Sequence, residues 1–113
     1  MQAQQIERCG DELYDAWRQR QVLSPLLERF PDITAAEAYA IQLRMVGRRV
    51  QAGETIIGKK IGLTSKPVQD MLGVFEPDFG QLTSGMVCTE ADGVDLGAMI
   101  QPKAEAELAF VLE

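Results

Sequence analysis

Glu105 and Glu107 are the residues whose type and spacing most directly suggest chemistry. The surrounding sequence, Lys103 to Leu112, follows a proline and alternates, which predicts a strand. Side chains alternate on a strand, so both carboxylates would project from one face, with Cα atoms roughly 6.5–7 Å apart. Paired carboxylates suit magnesium or manganese better than zinc or copper. The alternative is a half-exposed strand with two ordinary surface glutamates, and the spacing alone does not exclude it.

Lys60 is the second candidate for a chemical role. Thr55 to Leu63 is β-rich and alternating, so we expect a strand on which Lys59 and Lys60 point to opposite faces. Two glycines on the Lys60 face leave open space where a ligand or another backbone could approach. The residues expected to share the Lys60 face are Ile56, Gly58 and Gly62, and those expected beside Lys59 are Ile57, Ile61 and Leu63. The alternative is that one lysine is solvated and the other lies along apolar surface with its charge in water.

Asp78 is the third candidate. It lies between Pro77 and Phe79 in Val74 to Ser84, a stretch that we interpret as an ordered loop. A carboxylate beside an aromatic ring can have a raised pKa and act as an acid or base. An Asx turn explains the same residue without any chemistry.

Composition excludes several kinds of site. The 113 residues contain no histidine, which rules out a Ser-His-Asp triad or a histidine metal site within the chain. A formal net charge of −6 and the lack of a basic stripe argue against a nucleic-acid partner. No apolar run is long enough to span a membrane. Cys9 and Cys88 form no disulfide framework, so we expect reduced thiols in a cytoplasmic protein.

One apparent phosphate-binding motif is rejected. Residues 53–59 match the pattern GxxxxGK, but Lys60 occupies the position that needs serine or threonine. A helix is expected before this stretch and a strand within it, which is the reverse of a phosphate-binding loop.

The elements that would position these residues begin with two helices. Ile6, Cys9, Leu13 and Trp17 mark one face of a helix at roughly Gln2 to Gln21. Thr34 and Glu37 form a capping box for a second helix, about Ala35 to Ala52, which Gly53 would end. Between them, two prolines predict a loop or short turn. We also expect a short helix capped by Ser65 and ended by Gly73, and a short strand from Met86 to Thr89.

The pattern of elements predicts an α+β fold in two regions. Residues 1–53 would form a helical region, and residues 54–113 would begin a β domain. The alternation of the last strand is still running at Glu113. We therefore interpret the sequence as the truncated N-terminal part of a longer protein, with most of its β-sheet core downstream.

Four motifs in order resemble one known family. They are Gly58-Lys59-Lys60-Ile61-Gly62-Leu63-Thr64-Ser65-Lys66, Met71-Leu72-Gly73-Val74, Pro77-Asp78-Phe79-Gly80 and Gln101-Pro102-Lys103-Ala104-Glu105-Ala106-Glu107-Leu108-Ala109-Phe110. Together they resemble the 2-keto-4-pentenoate hydratases, also called 2-hydroxypenta-2,4-dienoate hydratases. These enzymes belong with the 4-oxalocrotonate decarboxylases in the fumarylacetoacetate hydrolase superfamily. The likeness extends over nearly the whole chain, so it favours functional roles for the three candidate positions.

The resemblance implies a fold and a set of roles. The fold would be N-terminal helices attached to a mixed β-roll of the fumarylacetoacetase-like type, in a homo-oligomer. A divalent Mg²⁺ or Mn²⁺ ion would be held by three acidic residues, with Glu105 and Glu107 as the first two and the third beyond Glu113. Lys60 would place a cation near the substrate carboxylate or developing enolate. Asp78 would transfer a proton or orient water.

The resemblance also implies a reaction, the addition of water to 2-hydroxypenta-2,4-dienoate to give 4-hydroxy-2-oxopentanoate in meta-cleavage aromatic catabolism. A 4-oxalocrotonate decarboxylase, which would need an extra cationic group for a second carboxylate, is one alternative. A non-catalytic scaffold of the same fold is another. With one ligand missing, we expect these 113 residues alone to be inactive and poorly stable.

Overall fold

A computed structural model describes all 113 residues of the chain. Its α-helices are α1 (Ala3–Gln19), α2 (Leu26–Arg29), α3 (Ala35–Gln51) and α4 (Lys66–Leu72), and its strands are β1 (Ile56–Gly62) and β2 (Asp78–Thr83). Two 3₁₀ turns cover Ser84–Met86 and Leu96–Ala98. Helices plus a small antiparallel sheet make an α+β arrangement, as predicted. None of the helices combines the length and apolarity needed to cross a membrane.

Helices α1 and α3 pack against each other and bury most of the core. The buried apolar side chains are Cys9, Tyr14, Ala16, Ile41 and Val46. The predicted capping box is present, since Glu37 N–H donates to Thr34 Oγ1 and Thr34 N–H donates to Glu37 Oε2. Periodicity and end signals together therefore locate both long helices correctly.

A close approach at Gly10 sets the spacing of this helix pair. A Cβ on Gly10 would lie 2.4 Å from Arg44 Cγ and 2.9 Å from the Ile41 carbonyl oxygen. Beside it, Asp11 accepts hydrogen bonds from Arg44 and Arg48 at 2.8 Å, which lower the pKa of Asp11 to about 2. The glycine that weakens α1 by propensity is thus the residue that lets α3 come near.

Strands β1 and β2 form a two-stranded antiparallel sheet. The register pairs Lys60 with Gly80 and Gly62 with Asp78. At its start, the sheet is tied to α3, because Arg49, only 5% exposed, donates to Glu54 Oε2 at 3.0 Å.

Two sequence predictions were wrong between residues 74 and 89. Val74 to Ser84 is not a loop throughout, because Asp78–Thr83 forms β2. Pairing with β1 overrides the low strand propensity of Asp78 and Gly80. Conversely, Met86 to Thr89 is not a strand, since a 3₁₀ turn ends at Met86 and irregular chain follows. Smaller differences are that α2 occupies the expected loop and that Ser65 stands at the start of α4 without a side-chain capping bond.

The predicted strand Lys103 to Leu112 is the largest correction. Residues 101–113 carry no regular secondary structure. A strand exists through hydrogen bonds to a neighbour, and no segment of this chain pairs with this one. The apolar face expected to pack on a core is uncovered, with Leu108 90%, Phe110 85% and Leu112 89% exposed.

Substitutions at Gly10 and Gly47 test the close approach of the helices. Gly10→Ala should destabilise the protein by about 1–3 kcal/mol, because the new methyl group overpacks the contact with α3. Gly47→Ala should be neutral or stabilise it by up to ~1 kcal/mol, since nothing lies within 4 Å of a Cβ there and alanine favours the helix. Urea denaturation followed by far-ultraviolet circular dichroism measures both. Equal effects of the two substitutions would contradict the packing described.

Candidate active site

Strand β1 presents Lys59 and Lys60 to opposite faces of the sheet, as predicted. Lys60 is paired with Gly80, and Lys59 with Gln81, whose side-chain oxygen accepts a hydrogen bond from Lys59. The register shifts between Ile56 and Gly58, so the alternation predicted from Ile56 onward is interrupted there. From Gly58 to Gly62 the predicted faces hold.

The face of Lys60 brings the candidate residues together. Lys60 Nζ lies 3.1 Å from Glu107 Oε1. The pKa of Lys60 is raised, first by the hydrogen bond and charge of Glu107 and further by the charges of Glu105 and Asp78. Lys60 and Glu107 are 48% and 56% exposed, so solvent screens their attraction and the pair is a weak restraint on its own. One ammonium therefore lies in the field of three carboxylates that the sequence analysis had selected separately.

Asp78 reaches across to β1 through the space left by a glycine. A Cβ on Gly62 would lie only 2.2 Å from Asp78 Oδ1. The pairing of Gly62 with Asp78 and of Lys60 with Gly80 puts Lys60 and Asp78 diagonally adjacent on one face of the sheet. The open position that the sequence predicted beside Lys60 is thus filled by a carboxylate of the same chain.

A cavity of about 400 Å³ borders Asp78. Its wall also includes Tyr39, Phe75 and Leu63, whose φ of 55° is unusual for a leucine. Gln69 donates a 2.7 Å hydrogen bond to the Leu63 carbonyl and so helps hold this conformation. A slightly larger groove of about 450 Å³, lined by Trp17, Met45 and neighbours, contains no titratable side chain and offers no comparable chemistry.

Tyr39 and Gln42 of helix α3 are site residues that the sequence analysis did not select. Phe79 N–H donates to Tyr39 Oη and Gln42 Nε2 donates to the Phe79 carbonyl, each at 3.1 Å. Their spacing of three residues places both on one helix face. That polar face was visible in the sequence, but its partner was not, because β2 was not predicted.

Glu105 and Glu107 provide oxygen donors, but not a complete metal site. No group of three or more Asp, Glu or Cys side chains in the chain is placed to hold a metal ion. Both glutamates lie in irregular chain rather than on the predicted strand. Two accessible carboxylates match part of the oxygen ligand set that magnesium or manganese takes. The donor chemistry therefore fits such an ion, with further ligands still required.

Comparison with solved structures identifies the class of fold. The chain is similar to 4-oxalocrotonate decarboxylase from Pseudomonas putida G7, solved as a complex with magnesium and adipate, with a TM-score of 0.72 and 27% sequence identity. The match covers 75% of this chain and 32% of that one. No family model matches the chain.

Comparison with curated proteins is more specific. The chain is 52% identical to a 2-hydroxypent-2,4-dienoate hydratase of Pseudomonas putida, over 96% of this chain and 49% of that protein. It is 50% identical to a 2-hydroxyhexa-2,4-dienoate hydratase of Comamonas testosteroni, over 96% of this chain and 42% of that protein. The resemblance to the 2-keto-4-pentenoate hydratases is confirmed, and the chain spans about half the length of the curated relatives it matches.

Substitutions at Gly62 and Gly58 test the approach of Asp78 to β1. In Gly62→Ala the Asp78 carboxylate must rotate away, because the methyl group would overlap it. Gly58→Ala lies on the same face but meets Leu82 at an ordinary 3.6 Å. Crystal structures of both variants should show a displaced Asp78 side chain in the first and an undisturbed one in the second. An unmoved Asp78 in Gly62→Ala would contradict the geometry.

Proposed function

We propose that this chain is the N-terminal part of a 2-hydroxypenta-2,4-dienoate hydratase and carries part of its active site. The observation that carries the proposal is the cluster of Lys60, Asp78, Glu105 and Glu107 on one side of the β1–β2 sheet. The 52% identity to a named hydratase supports the same conclusion. Residues 1–53 would form the helical region, and residues 54–113 would begin a β-roll completed by sequence outside this chain.

Lys60 would stabilise negative charge on the substrate. A 2-hydroxydienoate has a carboxylate next to an enol oxygen, and the enol gains enolate character as the far end of the diene takes up a proton. A fixed ammonium beside that oxygen favours the charge that develops, and such preorganised donors typically contribute on the order of 100-fold or more to the rate.

Asp78 would move the proton or orient the water. Protonation at the far carbon gives a 2-oxo-3-enoate, whose conjugated carbon C4 then accepts water, so the product is 4-hydroxy-2-oxopentanoate. The Asp78 carboxylate borders the 400 Å³ cavity, where it could donate a proton or align the attacking water. Its place beside Lys60 puts both groups within reach of one small substrate.

Glu105 and Glu107 would hold a divalent cation, Mg²⁺ or Mn²⁺, together with an acidic ligand outside these residues. When bound, the ion would polarise the substrate carboxylate and adjacent oxygen. The solved decarboxylase neighbours, which carry magnesium or calcium, support a divalent ion. We further propose a cytoplasmic homo-oligomer acting on this small molecule, with no membrane or nucleic-acid partner.

4-Oxalocrotonate decarboxylation is the second candidate function. The structural likeness to a decarboxylase favours it. The sequence identity of 27% to that enzyme is, however, well below the 52% shared with a hydratase. A scaffold without catalysis is disfavoured, because all four candidate residues are present.

Product analysis of the full-length protein distinguishes these functions. With Mg²⁺, it should consume 2-hydroxypenta-2,4-dienoate, followed by loss of ultraviolet absorbance, and form 4-hydroxy-2-oxopentanoate. Carbon dioxide release from 4-oxalocrotonate without any hydration would instead identify a decarboxylase. Inactivity towards both substrates would favour the scaffold. Residues 1–113 alone should be inactive, since they lack a complete ligand set.

Lys60 and Lys59 form a matched pair for testing the site. Lys60→Ala in the full-length enzyme should lower kcat by on the order of 100-fold, with a smaller change in KM, because it removes charge stabilisation in the transition state. Lys59→Ala removes the same group from the other face and should stay within ~0.5 kcal/mol of wild-type stability, with near wild-type rates. Equal losses, or a larger loss at Lys59, would place the active site on the opposite face.

The two glutamates can be tested through metal binding itself. Glu105→Gln and Glu107→Gln should each weaken Mg²⁺ or Mn²⁺ binding in the full-length protein by about 10-fold or more, because each removes one ionised ligand. Calorimetric titration with the metal alone gives the affinity without reference to turnover. Glu113→Gln is a control from the same irregular segment and should leave the affinity unchanged. Unchanged affinity in both test variants would disprove the metal assignment.

A further inference from the structure

Helix α3 holds strand β2 along the edge that faces away from β1. Phe79 uses both of its backbone polar groups there, the N–H towards Tyr39 Oη and the carbonyl towards Gln42 Nε2, each at 3.1 Å. Two side chains of a helix thus do for β2 what a third strand would do, and they satisfy backbone groups of an otherwise open edge.

The bond to Tyr39 acts directly on Asp78. The peptide between Asp78 and Phe79 is planar, so fixing the Phe79 N–H also fixes the Cα of Asp78 in that plane. The Asp78 carboxylate in turn fits into the space above Gly62, where only 2.2 Å separates Oδ1 from a potential Cβ. With so little room, a small shift of the peptide changes where the carboxylate points.

Tyr39 is also well placed for this role by its own packing. It is half-buried on α3 and lines the same 400 Å³ cavity as Asp78. Its hydroxyl accepts the Phe79 N–H, which leaves its own proton free to donate within the cavity. Gln42, one turn further along the helix, fixes the next peptide and so prevents rotation of the strand about the first bond.

We propose that Tyr39, assisted by Gln42, is a positioning residue that sets the orientation of the Asp78 carboxylate during catalysis. This inference rests on the proposed hydratase function and on the role of Asp78 in it. Tyr39 acts through the Asp78–Phe79 peptide and not on the reacting atoms.

The test combines Tyr39→Phe with Asp78→Asn in the full-length enzyme with Mg²⁺. Tyr39→Phe keeps the ring and removes the acceptor, and it should lower kcat for 2-hydroxypenta-2,4-dienoate by about 10- to 100-fold with little change in KM. In the Asp78→Asn background the same change should lower the residual kcat by less than about twofold, because the carboxylate it positions is already gone. Gln42→Met, which removes the donor at similar volume, should show the same dependence on Asp78.

Tyr14→Phe is the matched control. It makes the same chemical change in a tyrosine that packs between α1 and α3 and whose hydroxyl makes no hydrogen bond within the chain. It should leave kcat within about twofold of wild type. A loss from Tyr39→Phe that is equal in both backgrounds would indicate a general structural role and overturn the proposal, as would no loss at all. If the wild-type enzyme does not hydrate the dienoate, the proposed function itself fails, and this inference with it.

Discussion

An isolated two-stranded sheet is at best marginally stable in water, so the candidate site depends on the contacts by which helix α3 holds strands β1 and β2. At one end, the buried Arg49 pairs with Glu54 just before β1 begins. At the other, Tyr39 and Gln42 bond the backbone of Phe79 at the start of β2. Helix α3 is itself fixed by its packing on α1. The position of Asp78 therefore follows from a helix pair that is remote from it in sequence.

Glycine determines which groups meet on the catalytic face. Gly10 lets the two long helices approach, and Gly62 gives the Asp78 carboxylate its place beside β1. Lys60 then lies among carboxylates on a face where small residues leave room for a ligand. These glycines lower local propensity, and the close contacts they permit explain why they occur within a helix and a strand.

The helical half of the fold was predictable from sequence because its signals are local. Apolar periodicity, the Thr34 and Glu37 capping box and the left-handed Gly73 all lie within a few residues of the elements they define. The opposite orientation of Lys59 and Lys60 followed from strand alternation alone. Strand β2 could not be predicted in this way, because Asp78 and Gly80 are poor strand formers and pair only through tertiary contact with β1.

The same reasoning explains the errors and omissions around the site. The alternation over residues 103–112 predicted a strand, yet alternation does not supply the hydrogen-bonding neighbour that a strand needs. Tyr39 and Gln42 were missed because their role depends on β2. The motif resemblance selected Lys60, Asp78, Glu105 and Glu107 where spacing alone left each open, and three of these carboxylates lie around Lys60 in the structure.

The central claim is that one face of the β1–β2 sheet forms part of a hydratase active site. A crystal structure of the full-length protein with Mg²⁺ and oxalate, a stable analogue of an enolised 2-oxo acid, tests it most directly. The account predicts Glu105 and Glu107 as ligands of the ion, with Lys60 and Asp78 facing the oxalate from the sheet. An ion bound away from both glutamates, or Lys59 facing the oxalate in place of Lys60, would contradict it.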